Sequence, residues 1–383
     1  MLHILSKPYK DEFVMDLILP IAEKNPSVTI FYLWSIYSRR DASTIIEYIN
    51  THNESTYILA IKDNLTLENI SHDYIGIFTD LVNQFSDKNF IIFTSLENLK
   101  STFASYLLPR TGTVEIIEMG GCITNQVNEY KTIEPNLVKN FNSDKVFVCL
   151  GRNPRLYRLA NLLLLKSHSL DQFGLISFLS KNKIPHSDFL DFCPWEFKSE
   201  HTEIRSRLLT EFDKFKSSAA EDFIINTTYE QVWPHGYTDD YTNFTNSLRD
   251  EVYNNVFVEI ITETIFENPF FNITEKTKHS VLGRTFPIWL SAAGTVGFMR
   301  TMGLDVFDDI IDHSYDLITD DIVRLNEVTQ RNKQILSNPK LAKELWLKNI
   351  PRFEKNIEFI KSVPYDFYKT RFIKKCQLAG LVV

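Results

Sequence analysis

Short runs of apolar, β-branched and aromatic residues alternate with segments of helical periodicity through the first part of the chain. Continuous apolar runs of this kind are typical of strands in a parallel sheet that helices cover on both faces. The predicted strands are 28–34, 57–61, 89–94, 113–118 and 145–150, and the predicted helices are 41–51, 74–85 and 96–107. We expect Asp41 or Ser43 to cap the first of these helices.

The rest of the chain continues the alternation less regularly. Strands are predicted at 256–262 and 284–290. A helix is predicted to start within 272–276, and further helices are predicted at 159–165, 294–302, 320–336 and 339–362. The basic, aromatic tail at 365–378 is predicted to form the last helix. The pattern therefore predicts an α/β fold of two Rossmann-like lobes that face one cleft. We place the lobes at 1–145 and 146–340, with C-terminal helices at 341–383 that pack back across them.

Composition narrows the classes of function. The chain has 383 residues, of which 44% are hydrophobic, so a large core is expected and extensive disorder is not. A net charge of −8 argues against bulk nucleic acid as the main partner, although it leaves room for a local basic cleft. Four cysteines without a C-x-x-C spacing predict reduced thiols. No signal peptide or membrane-spanning run is recognised, so a cytoplasmic protein is expected.

The sequence motifs of several enzyme classes are missing from this chain. No His/Cys pair has the spacing of a zinc site, and we therefore expect no metal. A Gly-x-Gly-x-x-Gly or P-loop motif is missing, which counts against dehydrogenases and NTPases. The lack of Gly-x-Ser-x-Gly counts against serine hydrolases.

Two groups of residues nevertheless have the character of an anion site. Thr274, Glu275 and Lys276 lie at a predicted helix start, where free N–H groups and the positive end of the dipole bind anions. A lysine there is unfavourable because its charge opposes the helix dipole, and a phosphate bound in front of it would offset this effect. The alternative is an ordinary capping turn with a solvated pair of charges. The second group follows the fifth strand and contains Arg152, Arg155 and Arg158, which could grip a phosphate or form a solvated helix face.

In this region the chain resembles the fucosyltransferase-like glycosyltransferases, and it is similar in more positions to a group of virus-encoded proteins assigned as glycosyltransferases. The resemblance covers residues 146–158 and 256–324, about a fifth of the chain. It is carried by Arg152-Asn-Pro-Arg155-x-x-Arg158, Glu263-Thr264, Ile273-Thr-Glu-Lys-Thr277, Gly303-Leu-Asp-Val-Phe307, Asp312-His313-Ser314-Tyr315-Asp316 and Arg324. Two departures are His313, where the group has an acid, and Arg284-Thr-Phe-Pro287-Ile, where it has Gly-x-Pro-Phe.

The resemblance implies a two-lobed, metal-independent transferase of the GT-B type, with no tightly bound cofactor. Its donor, a nucleotide-diphosphate sugar, would bind the C-terminal lobe, and its acceptor the N-terminal lobe. Fixed cations would then stabilise the departing diphosphate, a role for Lys276 and the arginines. Inversion would need a general base, for which Glu118 is the first candidate and Asp63 the second. Glu263 would bind the sugar or ribose, and Tyr315 and Asp316 would close the nucleotide pocket.

The sequence leaves open the sugar, the nucleotide base, the oligomeric state and the choice between inversion and retention. The acceptor could be a glycan, a protein or a modified nucleobase, and the compartment a host cytoplasm if the chain is viral. A different class of function also fits the same motifs. The protein could be a non-catalytic nucleotide- or glycan-binding protein, or a viral assembly protein, on a degenerate transferase fold.

Overall fold

The structure is a computed structural model of the chain. It describes residues 2–4, 19–33, 39–52, 54–61, 79–94, 103–118, 137–151, 156–178, 250–263, 266, 273–378 and 380–382. Nine strands are defined within these ranges: β1 (Leu2–Ile4), β2 (Thr29–Leu33), β3 (Thr56–Ile61), β4 (Asn89–Thr94), β5 (Val114–Glu118), β6 (Phe147–Gly151), β7 (Gly174–Phe178), β8 (Val258–Thr262) and β9 (Phe286–Leu290).

The described helices range from 4 residues in the shortest to 29 in the last one. They are α1 (Leu19–Lys24), α2 (Arg39–Thr51), α3 (Leu156–Ser167), α4 (Asp250–Tyr253), α5 (Glu275–Leu282), α6 (Thr295–Met302), α7 (Asp321–Arg331), α8 (Lys333–Leu336), α9 (Pro339–Lys348) and α10 (Ile350–Leu378). Short 3₁₀ turns span Asp171–Phe173 and Ser314–Leu317.

The chain divides into two compact units, each built on its own parallel sheet. Unit 1 contains residues Met1–Asn128, Pro269–Thr274 and Ser362–Val383. Unit 2 contains Glu129–Asn268 and Glu275–Lys361. The boundary near the C-terminus falls within α10, so this one helix contributes residues to both units.

The sheet of unit 1 has five strands in the order β1-β2-β3-β4-β5, and every described pair is parallel. Register places Ile30, Ile58 and Ile91 side by side on neighbouring strands, and all three are buried. The last residues of the chain complete this core, because Phe372 packs on Phe93 with ring centroids 4.8 Å apart. Unit 1 is therefore assembled from segments that are distant in the sequence.

The sheet of unit 2 has four parallel strands in the order β7-β6-β8-β9. Every residue of β8 and of β9 is buried, as expected for strands that are covered on both faces. Helix α5 packs against β8 and β9, and α7 packs against β9 and α3. The packing between β6 and β7 also requires a glycine at position 174, because a Cβ there would lie only 2.6 Å from the ring of Phe147.

The prediction of parallel strands is confirmed, and each of the seven predicted strands lies within two residues of its observed bounds. Strands β1 and β7 and helices α1 and α4 were not predicted. The capping prediction for α2 is wrong, because the helix begins at Arg39 and so contains Asp41 and Ser43. Only parts of the helices predicted at 74–85 and 96–107 lie within the described residues, which are helical at 79–84 and 103–104.

The two long amphipathic helices predicted near the C-terminus are each interrupted by an asparagine. The first is broken at Asn332, whose amide nitrogen donates to the carbonyls of Val328 and Asp312. The second is broken at Asn349, whose amide nitrogen donates to the carbonyl of Leu345. Side-chain hydrogen bonds of this kind compete with the helix ladder, and hydrophobic periodicity does not register them.

Candidate functional site

The strand order of unit 2 reverses between β6 and β8, because the chain proceeds from β6 to β7 on one side and returns to β8 on the other. In parallel sheets, ligands bind outside the carboxyl ends of the strands at such a point. The strands end at Gly151 and Thr262, and Glu263 follows directly. The position of Glu263 at a strand end agrees with the sequence prediction.

Side chains connect β6 and β8 towards these carboxyl ends. The backbone register joins Phe147 to Val258 and Val148 to Glu259 near the start of the strands. Further along, the hydroxyl of Thr262 donates to the carbonyl of Leu150 over 2.8 Å. A side-chain hydrogen bond therefore connects the end of β8 to β6.

Arg158 lies in the first turn of α3 and is buried. Its guanidinium donates to the carbonyl of Thr262 over 3.0 Å, to the carbonyl of Glu263 over 3.2 Å and to the hydroxyl of Tyr157 over 3.1 Å. Tyr157 in turn donates to the carbonyl of Glu263. These contacts hold the backbone at the end of β8. Arg152 and Arg155, the other two predicted phosphate ligands, lie outside the described residues.

Glu263 is fully buried. Its Oε1 accepts a hydrogen bond of 2.7 Å from the hydroxyl of Thr277 in α5, and that hydroxyl accepts one of 2.9 Å from the indole of Trp289 in β9. The predicted acid is therefore connected by side chains to the helix that carries Lys276. Thr277 lies in the Ile273–Thr277 motif but was not predicted to have a functional role, and no role was predicted for Trp289.

The helix start predicted at Thr274, Glu275 and Lys276 is present, since α5 begins at Glu275 and Thr274 directly precedes it. Thr274 is buried, and the side chain of Glu275 lies outside the described set. Lys276 is half-buried, whereas Lys278 in the same helix is fully enclosed. Of these two lysines, Lys276 is therefore the more exposed residue.

Tyr315 is a core residue whose hydroxyl accepts from the backbone N–H of Trp289 over 3.0 Å. Its neighbour Asp316 accepts from the N–H groups of Val296 and Gly297, over 3.1 and 2.9 Å. Asp316 therefore caps the start of α6 and places a carboxylate at that helix terminus. The prediction that Asp316 closes a nucleotide pocket stays untested, as does the same role for Tyr315.

His313, one of the two departures from the motifs of the resemblance, is buried and lies beside β9. Its Nδ1 lies 3.0 Å from a carboxylate oxygen of Asp308, and its Nε2 lies 3.0 Å from the carbonyl oxygen of Pro287. Burial lowers the pKa of His313, while these two acceptors favour its protonated form. The histidine links the motif to the edge strand of the sheet.

The predicted general bases belong to the first part of the chain. Glu118 is the last residue of β5, so its position at a strand end is confirmed, although its side chain is not among those described. Asp63 lies outside the described residues. The structure therefore places Glu118 in unit 1, whereas Arg158, Glu263, Lys276 and Tyr315 belong to unit 2.

Acidic residues that could suggest a metal site have arginine partners instead. Asp308 pairs with Arg300 over 2.6 Å, and Asp309 pairs with Arg352 over 2.9 Å. Within the described ranges, no group of three or more His, Cys, Asp or Glu side chains could hold a metal ion. None of the helices in those same ranges is both long and apolar enough to cross a membrane.

Two further ionisable residues are buried behind the site. Burial raises the pKa of Glu259 in β8 to about 8, and its Oε1 accepts from the hydroxyl of Tyr253 over 3.0 Å. Burial also lowers the pKa of Lys139 to about 7. The ammonium of Lys139 donates to the carbonyls of Tyr253, Val256 and Gly283 over 2.7–2.9 Å, so it joins three segments of unit 2. Neither residue was predicted, because an isolated Glu or Lys in the sequence has no distinguishing pattern.

Comparison of the chain with protein-family models, with curated proteins and with solved structures returned no match.

Proposed function

We propose that the protein is a glycosyltransferase that moves a sugar from a nucleotide-diphosphate donor to an acceptor hydroxyl without a metal ion. The observation that carries this proposal is the polar cluster at the strand-order reversal of unit 2, where Arg158, Glu263 and Thr277 meet. These three residues belong to the motifs of the resemblance, and α/β sheets bind nucleotides at such a position. In this proposal the units are the two lobes of a GT-B type transferase, with the donor in unit 2.

The proposed reaction inverts the anomeric carbon. The acceptor oxygen forms a bond to that carbon while the bond from the carbon to the diphosphate oxygen breaks. Glu118 takes the proton of the acceptor hydroxyl, and the nucleoside diphosphate leaves with its added negative charge. Lys276 and the N-terminus of α5 stabilise that charge, as fixed cations and dipoles do in metal-independent transfer. Arg152 and Arg155 are the proposed bidentate phosphate ligands.

A thermal-shift experiment in the presence of EDTA tests the proposal. Uridine, guanosine, adenosine, cytidine and thymidine diphosphates are each added to the full chain. We expect one of them to raise the melting temperature by several degrees, since a ligand that binds only the folded state stabilises it. K276A should abolish the shift, whereas K340A, which removes an exposed lysine of α9, should keep it. If no nucleotide moves the wild-type melting temperature, the proposal is wrong.

A second function has support from the same contacts. Arg158 holds the backbone at the end of β8, Tyr315 accepts from the backbone of Trp289, and Asp316 caps α6. A non-catalytic nucleotide- or glycan-binding protein, or an assembly protein, on a degenerate transferase fold would retain these structural roles. Such a binding protein would bind the donor without hydrolysing or transferring it, and E118A would then change no measured property. A screen of nucleotide sugars for donor hydrolysis separates the two functions.

The proposed partners are a nucleotide sugar and a glycan, protein or modified nucleobase acceptor. The proposed location is the cytoplasm, or the host cytoplasm for a viral chain.

Cys149 and Cys376 are free and buried, in agreement with reduced thiols. Burial raises the pKa of each of these thiols to about 12, which makes them poor nucleophiles.

A further inference from the structure

Three buried side chains from consecutive elements form one hydrogen-bonded chain in unit 2. They are Trp289 in β9, Thr277 in α5 and Glu263 at the end of β8, and each has a relative exposure of 0%. The indole Nε1 of Trp289 lies 2.9 Å from the hydroxyl of Thr277. That hydroxyl lies 2.7 Å from Oε1 of Glu263. These hydrogen bonds therefore connect the central strand β8 and the edge strand β9 through a residue in the first turn of α5.

An indole N–H only donates, so the oxygen of Thr277 accepts from Trp289. The hydroxyl of Thr277 in turn donates its proton to Oε1 of Glu263. An acceptor role on this oxygen suits an ionised carboxylate, and hydrogen bonds to charged acceptors are among the stronger ones. Trp289 is also held at its backbone, because its N–H donates to the hydroxyl of Tyr315.

The burial of Glu263 determines which role it can have. Glu263 has a relative exposure of 0%, so its carboxylate has no surface that a ligand could contact, whereas Lys276 is half-buried and immediately precedes Thr277. Thr277, Lys278 and Val281 form the enclosed side of α5, and Lys276 and His279 lie on the more accessible side. The hydrogen bonds of Thr277 to Glu263 and Trp289 consequently fix the first turn of α5, and with it the orientation of Lys276.

We propose that Glu263, Thr277 and Trp289 act as a positioning device for Lys276, so that Glu263 supports phosphate binding indirectly and does not contact the substrate. This inference rests on the proposed function, because it assigns Lys276 to the diphosphate of the donor. It assigns two separate roles, because Lys276 contacts the ligand and the buried Glu263 orients Lys276. When the hydrogen bonds of Thr277 are lost, Lys276 is still present but poorly oriented.

A double-mutant cycle tests the proposal through nucleotide affinity, measured by calorimetry with the nucleoside diphosphate that binds the wild type. T277V keeps the shape of the side chain and removes its hydroxyl, and it should weaken binding about tenfold, as expected for the loss of one well-placed charge contact. T277S restores a donor and should bind within about twofold of the wild type. The residual binding of K276A is measured at a higher nucleotide concentration, and in that background T277V should cause no further loss, because Thr277 acts through Lys276. Additive losses would overturn the proposal.

A second measurement needs no nucleotide, so it separates this proposal from the proposed function. Wild type, T277V, T277S and W289F are treated briefly with an amine-reactive acylating reagent, and the labelled lysines are quantified by mass spectrometry. We expect T277V and W289F to change the labelling rate of Lys276 severalfold, T277S to leave it unchanged, and Lys340 to label equally in all four proteins. An unchanged rate at Lys276 in T277V overturns the positioning role. A wild type that binds no nucleotide while Lys276 responds as expected contradicts only the proposed function.

Discussion

At the scale of single residues, the polar groups of unit 2 are notable for how many are enclosed. Glu259, Glu263, Arg158 and Lys139 are all buried, and the described contacts of Arg158 and Lys139 are with backbone carbonyls or a tyrosine hydroxyl. Buried charges need such partners, because an unsatisfied charge in a low dielectric is strongly unfavourable. Enclosed polar groups of this number make the stability of the unit sensitive to pH.

Glu259 provides the clearest prediction of that kind. Its pKa is raised by burial from 4.5 to about 8, so the folded state binds more protons than the unfolded state between these values. The contribution of this group to stability is therefore complete below about pH 4.5 and is lost as the pH rises through 8. We expect E259Q, which has no charge to bury, to gain stability relative to the wild type by up to about 1.4 kcal/mol per pH unit in this window.

Urea unfolding of E259Q and wild type at about pH 5 and pH 8 measures the difference. Lys139 titrates in an overlapping range, and the charge of Glu259 raises the pKa of Lys139, so the difference between the two proteins belongs to this coupled pair. E344Q, on the exposed surface of α9, is the matched control and should follow the wild type at both values. A difference between E259Q and wild type that does not vary with pH would contradict a raised pKa for Glu259.

At the scale of elements, the N-terminus of α6 is capped by Asp316, an acidic residue from the 3₁₀ turn Ser314–Leu317. Gly294 precedes the helix with φ of 86°, and Asp316 accepts from the N–H groups of Val296 and Gly297. Carboxylates at this position satisfy free N–H groups and complement the dipole. We expect D316A to lower the free energy of unfolding by about 1–2 kcal/mol, measured by urea denaturation.

The comparison for D316A comes from another helix of the same unit. Asp320 caps α7 by accepting from Ile322 and Val323, and it is less buried than Asp316. D320A should therefore cost no more than about 1 kcal/mol. E344A, which removes an exposed acid within α9, should have no measurable effect. If D316A were as stable as E344A, the capping role of Asp316 would be refuted.

The elements also show which features sequence alone could supply. Strands such as β4 were predicted because continuous apolar runs are a local signal. The order β7-β6-β8-β9 is set by pairing between distant segments, so no local pattern encodes it. The same holds at the site. Glu263 and Lys276 stand out within motifs, but the role of Thr277 depends on Glu263 and Trp289, fourteen and twelve residues away in the sequence.

At the scale of the whole molecule, α10 offers two buried phenylalanines that belong to different cores. Phe353 packs on Phe286 and Phe307 in unit 2, with centroids 5.0 and 4.8 Å apart. Phe372 packs on Phe93 in unit 1. Both have a relative exposure of 1%, so F353A and F372A remove the same side chain from equally enclosed positions of one helix. They form a matched pair for asking whether the units unfold separately.

Each substitution is expected to destabilise its own core by about 3–5 kcal/mol, the usual range for a buried Phe replaced by Ala. Because the cores are built on separate sheets, we expect hydrogen exchange followed by mass spectrometry to show local effects. F372A should accelerate exchange in β2, β3 and β4 about a hundredfold or more and leave β8 and β9 protected, and F353A should do the reverse. If either variant deprotected both sheets equally, the units would be one cooperative structure, and an unfolding free energy could no longer be assigned to either unit alone.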